Sequence, residues 1–267
     1  MSSRPPNLTA VGEPVVWTLS RDEVDPRDVV DSKGDATIAV VVPARNEAAT
    51  VGAVLEAVRA SPGLVDELVV VDDGSIDDTA TVAAHHGARV VRPAGPAGKG
   101  AAMARGAAAT TADLVVFLDA DVLNTTPEFV ARLVAPLLMR PEIHLVKGYY
   151  ERPLLDMPTG GGRVNDLAAR PILSLLFPGL GEVRQPLAGE TALRREVLDV
   201  IDLEPAYGVE IGLLIDVAHH YGLAAVAQVD LGTRRHRNRP LEELRPMAVD
   251  VLRVALERSG ASWPERG

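Results

Sequence analysis

Two carboxylates, Asp119 and Asp121, stand one residue apart where the apolar run 114–118 ends. In an extended segment residues two apart project to the same side. Side by side they repel unless a cation joins them. Oxygen donors of this kind suit Mg²⁺ or Mn²⁺, which in turn bridge phosphates. A bare D-x-D also occurs as a solvated turn; its place after a strand of a strand–helix repeat favours chemistry. Asp72, Asp73, Gly74 and Ser75 end another apolar run. A carboxylate there can hold a base edge or ribose hydroxyls, and glycine lets backbone approach closely. Alone, the same residues read as an ordinary Asp-Gly turn. Lys99 lies between Gly98 and Gly100. The spacing G-x-x-x-x-G-K-[ST] is not met, because Gly100 and Ala101 follow the lysine. The loop can still bring one ammonium to a phosphate, or carry a solvated lysine.

The second half supplies a different set. R-R-H-R-N-R (234–239) is a basic island in an acidic chain. Like charge from Arg234, Arg235, Arg237 and Arg239 favours a neutral His236, the form that ligates a metal. Arg163 and Asn165 follow three glycines, 160–162. Backbone N–H groups and a guanidinium there can hold an anion. The plainer reading of the arginines is a solvated charge run, although four close cations would normally be dispersed. Glu210, in Y-G-V-E-I-G, and Glu190, in L-A-G-E-T, are either acids that suit a helix start or acids that face a ligand. The residues alone leave both open.

Such side chains need elements to position them. From Thr37 the pattern strand, polar loop, helix repeats. Strands are predicted over 38–42, 68–71, 89–91 and 114–118. Helices are predicted over 48–60, with Val51, Val54, Leu55 and Val58 on one face, from an Asp77 or Asp78 cap to His86, and over 100–110. This alternation predicts a parallel sheet covered on both faces. Ligands of such sheets bind beyond the carboxyl ends of the strands. P-A-R-N-E (43–47), D-D-G-S (72–75), G-P-A-G-K-G (95–100) and D-A-D (119–121) all fall there, which points to a nucleotide site. Further on, the pattern predicts a strand over 146–152 and a helix over 163–177 interrupted at Pro171. It then gives an amphipathic helix over 209–221, a strand over 225–231 and a closing helix over 241–259. Residues 1–35, rich in Pro, Asp and Ser, predict an arm with a short helix near 21–24, pinned by Trp17.

Composition narrows the class. The 267 residues are 47% hydrophobic but only 3% aromatic, so the core must be Val, Leu, Ala and Ile. A net charge of −10 excludes broad attraction to nucleic acid or anionic membrane. Absence of cysteine excludes disulfides and thiolate metal sites, and fits a cytoplasmic location. No secretory pattern opens the chain and no apolar run is long enough to span a bilayer.

V-V-V-P-A-R-N-E, V-D-D-G-S, G-K-G and V-F-L-D-A-D together resemble a GT-A nucleotide-sugar glycosyltransferase. G-G-G-R-V, L-A-A-R-P, Q-P-L-A-G-E, Y-G-V-E-I-G-L-L-I-D and the R-x-H-R-N-R-P-L-E-E-L stretch resemble the actinobacterial glucosyl-3-phosphoglycerate synthases. The likeness runs from about Trp17 to Ser259. It implies an α/β fold, a Rossmann-like mixed sheet flanked by helices, with a C-terminal acceptor-binding part. The implied units are an arm (1–35), a nucleotide-sugar-binding half (36–150) and an acceptor-binding half (151–267) of one catalytic domain. The implied reaction moves glucose from UDP-glucose to the 2-hydroxyl of 3-phosphoglycerate with retention, using Mg²⁺ or Mn²⁺. Pro43, Ala44, Arg45, Asn46, Glu47 and Asp73 would surround uracil and ribose, and Lys99, Asp119 and Ala120 the nucleotide. Asp121 and His236 would hold the metal. Leu187 and Glu210 would line the glucose, and Glu210 and Asp121 would carry the catalytic roles. Gly162, Arg163, Val164, Asn165, Arg234 and Asn238 would bind the acceptor. Relatives carry Thr where Asn165 stands, have a longer segment before Gly160, and have a tail that helps a homodimer.

Three rivals remain at this level. A GDP-mannose-using synthase, or a paralogue with another phosphorylated acceptor, would share these motifs. A nucleotidyltransferase would place a glycine-rich basic loop after the first strand, where P-A-R-N-E stands. A non-catalytic nucleotide-sugar-binding protein should have lost Asp121 or His236, and both are present.

Overall fold

Val40 and Val42 face one hydrophobic core and Val41, between them, faces another. The two-residue period of an extended chain, applied to an all-apolar strand, requires cover on both faces. Val70 against Val69 and Val71, and Leu114 and Val116 against Val115 and Phe117, divide the same way. The computed structural model describes residues 16–61, 63–93, 98–154, 157–160, 162–235 and 241–260.

The chain runs β1 (Trp17–Leu19), α1 (Pro26–Ser32), β2 (Ile38–Ala44), α2 (Val51–Arg59), β3 (Glu67–Asp72), α3 (Thr79–His85), β4 (Arg89–Val91) and α4 (Lys99–Ala108). It continues through β5 (Leu114–Phe117), α5 (Glu128–Met139), β6 (Leu145–Glu151), the short strands β7 (Pro153–Leu154) and β8 (Met157–Gly160), and α6 (Arg170–Leu176). It ends with β9 (Thr191–Arg194), α7 (Val197–Val200), α8 (Val209–Tyr221), β10 (Val226–Thr233) and α9 (Leu241–Ser259). Eight strands form one sheet in the order β1-β10-β6-β9-β5-β2-β3-β4. Side chains of α2, α3 and α5 fill the core on one face, and those of α4, α6, α8 and α9 the core on the other.

Three features refine the strand–helix alternation, the mixed sheet being what the family resemblance implied. The sheet is mixed: β9, which has no periodic signal of its own, lies antiparallel between β5 and β6. Residues 16–35, read as part of an arm, contribute β1, which pairs parallel with β10 through Trp17↔Ala227 and Leu19↔Val229. Arg140 also stacks on the Trp17 ring, so Trp17 does hold this segment to the body. The helix expected over 163–177 is present as one continuous run over 163–176, with a π-turn at Asn165–Ala169 leading directly into α6. Pro171 follows the π-turn directly, so the interruption expected there is a local change of helical pitch within a continuous helix rather than a break.

Local chemistry fixes the loops that follow the strands. Asn46 has φ +58°, a left-handed conformation that asparagine tolerates better than most residues. Its Oδ1 accepts from Ile76 N at 2.9 Å and its backbone N–H donates to Ser75 Oγ at 2.9 Å. The P-A-R-N-E and D-D-G-S loops are therefore stitched to each other. Asp77, not Asp78, caps α3, accepting from Thr79 N at 3.1 Å and also from Ala48 N at 3.1 Å. Among the described residues no helix is long and apolar enough to cross a membrane.

Candidate active site

β5 leaves the sheet at Phe117, and the chain then crosses the carboxyl edge as Leu118–Val122. Leu118, Ala120 and Val122 are buried, which turns Asp119 and Asp121 the other way, toward a pocket of about 340 Å³. Pro43, Ala44, Arg45, Glu47, Asp73, Lys99, Asp119, Ala120, Asp121 and Glu210 line it, as do Leu187, Gly162, Arg163, Val164, Asn165 and Arg234. Of the predicted site residues among those described, only Asn46 stays off the wall, where it braces the loop beside it. His236 and Asn238 lie outside the described residues.

Lys99 begins α4. Its Nζ meets Asp119 Oδ1 at 2.7 Å and Glu210 Oε1 at 2.6 Å. Burial alone would lower this ammonium's pKa, but Asp119 and Glu210 overcome it and hold the group well above its ordinary range. Asp119 shows the converse. Burial would raise it, yet Lys99 and Arg234 keep it far below the usual carboxylate range. Gly189 is needed alongside, since a Cβ there would collide with the Asp119 carboxylate.

Arg234, expected at the acceptor, is spent elsewhere. It is 3% exposed. Its Nη2 donates to Asp119 Oδ2 at 2.7 Å and Asp121 Oδ1 at 3.1 Å, and its Nη1 to Glu190 Oε2 at 3.1 Å and the Tyr150 hydroxyl at 2.7 Å. The repulsion expected between the paired aspartates is thus relieved by a guanidinium of the chain itself. Glu190, ambiguous in the sequence, sits beneath this arginine at 1% exposed. Asn165 is also turned inward. Its Nδ2 donates to the Arg184 carbonyl at 3.2 Å and its Oδ1 accepts from Leu187 N at 3.5 Å, tying the Gly162 loop to the segment that carries Leu187.

Several contributors escaped sequence reasoning. Lys147, 1% exposed on β6, donates to the Ala188 carbonyl at 2.7 Å and to Thr191 Oγ1 at 2.9 Å. It holds from below the turn that presents Leu187 and Glu190. A lysine inside an otherwise apolar strand was the available signal. Arg152, Tyr207, Leu244 and Met247 also line the pocket. The 204–207 loop reaches it because Pro205 O accepts from Ala101 N at 3.0 Å. Arg258 of α9 clamps the loop further, pairing with Glu204 at 3.0 Å and with Asp216 at 2.8 Å.

The donor set fits a hard divalent cation. Asp119 and Asp121 offer carboxylate oxygens on one side of the chain, at the pocket wall. Among the described residues no three His, Cys, Asp or Glu groups are placed to hold a metal ion together.

Residues 39–152 match the family described as Glycosyl transferase family 2. The glucosyl-3-phosphoglycerate synthase of Mycobacterium tuberculosis H37Rv is 49% identical over 262 residues, covering 91% of this chain and 78% of that one. The chain belongs to the glucosyl-3-phosphoglycerate synthase family. The glucosyl-3-phosphoglycerate synthase of Petrotoga mobilis is 40% identical, over 85% of this chain and 74% of its own. The crystal structure of the M. tuberculosis glucosyl-3-phosphoglycerate synthase with Mn²⁺, UDP-glucose and phosphoglyceric acid matches with a TM-score of 0.87 at 46% identity, covering 95% of this chain and 90% of that one. Its complex with Mn²⁺, UDP and glucosyl-3-phosphoglycerate matches with a TM-score of 0.85 at 46% identity, covering 93% and 89%. Membership of the glucosyl-3-phosphoglycerate synthase family makes this chain a glycosyltransferase with a GT-A-like mixed sheet, as its motifs predicted.

Proposed function

We propose that this protein transfers glucose from UDP-glucose to the 2-hydroxyl of 3-phosphoglycerate, with retention, in the cytoplasm. The observation that carries the reading is the arrangement of one pocket. Lys99, Asp119, Asp121 and Glu210 converge in it, and the Gly162 loop and Arg163 close the same space. The relatives' structures contain Mn²⁺ or Mg²⁺ with UDP, and the oxygen donors here suit either ion. Bound at Asp121, with His236 as a further ligand, the metal supplies charge that the departing diphosphate needs.

The chain's own residues do the rest. The stitched 43–47 loop and Asp73 hold uracil and ribose in a fixed frame. Lys99 gives the diphosphate a second positive charge, and its grip on Glu210 aims that carboxylate at the glucose hydroxyls. Leu187 packs on the sugar. Arg163, with the backbone of Gly162, Val164 and Asn165, holds the phosphorylated carboxylate, a good match for a guanidinium. Asn165 contributes by holding this loop against the sugar-side segment. No protein base is assigned: in same-face attack the leaving phosphate takes the hydroxyl proton.

Product formation with Mg²⁺ tests the proposal, crossing UDP-glucose and GDP-mannose against 3-phosphoglycerate and phosphate-free glycerate. Transfer is expected only from UDP-glucose to 3-phosphoglycerate. Equal transfer to glycerate would remove the phosphate-binding role of Arg163, and preference for GDP-mannose would replace the donor.

A further inference from the structure

Tyr150, at the end of β6, has no part in the chemistry above, yet it touches both sides of the pocket. Its side chain is buried, at 5% exposed. Its hydroxyl accepts from Arg152 Nη2 at 2.6 Å and from Arg234 Nη1 at 2.7 Å. A phenol oxygen has two lone pairs, and each receives a guanidinium. Burial raises the Tyr150 pKa, against the pull of Arg152 and Arg234, so the hydroxyl keeps its proton and acts as a neutral joint.

The two arginines serve different neighbours. Arg152 lines the pocket beside the acceptor loop: a Cβ on Gly162 would lie 3.2 Å from Arg152 Cδ. Arg234 occupies the aspartate pair, and its longer bond, 3.1 Å, goes to Asp121. The Nε atoms of both arginines are buried without a hydrogen-bond partner. Each guanidinium therefore retains a donor that its present position leaves unused.

We propose that Tyr150 is a positioning residue that couples the metal–nucleotide side of the pocket to the acceptor side, and that Arg152 is a second acceptor-binding arginine whose aim is set through it. The inference rests on the functional reading above, in which Asp121 takes the metal. A divalent cation on Asp121 competes for the oxygen that Arg234 now holds and repels the guanidinium. Arg234 keeps its Nη1 bonds to Glu190 and Tyr150, so its displacement is transmitted to the tyrosine hydroxyl and from there to Arg152. An acceptor carrying a phosphate and a carboxylate has charge for two guanidiniums, and Arg163 is one.

The test is calorimetric titration of 3-phosphoglycerate into the protein alone and into the protein saturated with Mn²⁺ and UDP, for the wild type, Tyr150→Phe and Arg152→Met. Tyr150→Phe keeps the buried ring and deletes only the joint. In the wild type, Mn²⁺ and UDP should tighten acceptor binding by about tenfold, within the usual span of coupling between sites. In Tyr150→Phe that ratio should fall to within about twofold of unity while Mn²⁺·UDP affinity is retained. Arg152→Met should weaken the acceptor about tenfold in the saturated protein and leave Mn²⁺·UDP affinity unchanged. An unchanged ratio in Tyr150→Phe, or a wild-type ratio near one, overturns the coupling. Loss of Mn²⁺·UDP binding in Tyr150→Phe also overturns it, since the tyrosine would then belong to the frame of the metal site. A wild type that binds Mn²⁺·UDP but never 3-phosphoglycerate sinks the acceptor assignment itself, an outcome distinct from loss of coupling.

Discussion

Two lysines mark the wall and the floor of one site, and the same carboxylates hold the charge of one but not of the other. On the wall, Lys99 touches Asp119 and Glu210 at 2.7 and 2.6 Å. In the floor, Lys147 donates to a carbonyl and a hydroxyl rather than to a carboxylate among the described residues. Desolvation disfavours the charge of both. For Lys99 the adjoining carboxylates win and its pKa rises. For Lys147 burial wins, and the more distant Glu210, Glu190 and Asp119 recover too little, leaving it at about 8. Within a single electrostatic cluster, direct contact decides which cation is permanently charged and which titrates near neutrality.

The sharpest way to break this comparison is Lys99→Met. It leaves Asp119 and Glu210 without the cation between them and takes a charge from the diphosphate. The expected loss in kcat/KM for UDP-glucose is about 10²–10³-fold, the usual scale for one preorganised electrostatic contact. A loss under tenfold would reduce the wall pair to scaffolding. The floor gives a pH signature. The folded protein releases the Lys147 proton near 8 and the unfolded chain near 10.5. Between those values the unfolded state binds more protons, so stability rises with pH through that window and is flat below it. The span is about 3 kcal/mol at most. Urea melts of wild type and Lys147→Met from pH 7 to 10 isolate it, and a difference independent of pH would show that Lys147 keeps its proton. The smallest change is Thr191→Val, which deletes the hydroxyl that accepts from the ammonium. About 1 kcal/mol of stability should go, and the pH step should move lower; an unmoved step would leave the Ala188 carbonyl as the sole effective partner.

The wall was legible in the sequence and the floor was not. Asp119, Asp121, Asp73 and the 43–47 loop follow apolar runs, so local pattern placed them at strand ends. α8 and α9 have the predicted bounds because long periodic segments with glycine or proline at their edges carry their own signal. Lys147, Glu190, Tyr150 and the position of Arg234 depend on β9 entering the sheet antiparallel between β5 and β6. That insertion is decided by pairing across many residues, and T-A-L-R has too few residues to announce a strand. Arg234 was read as acceptor-facing because a basic island suggests an anion, while two of the three carboxylates that claim it lie more than 110 residues earlier.

The edge strand β1 has a consequence for how the protein is made. Its partner is β10, and Gln228 Nε2 donates to Thr18 Oγ1 across 210 residues of chain. At synthesis rates of roughly 5–20 residues per second, the first strand leaves the ribosome on the order of 10–40 s before its partner exists. β1 must wait undocked while β2 to β5, which pair with one another, can already assemble behind it, and it can seat only after translation has passed β10.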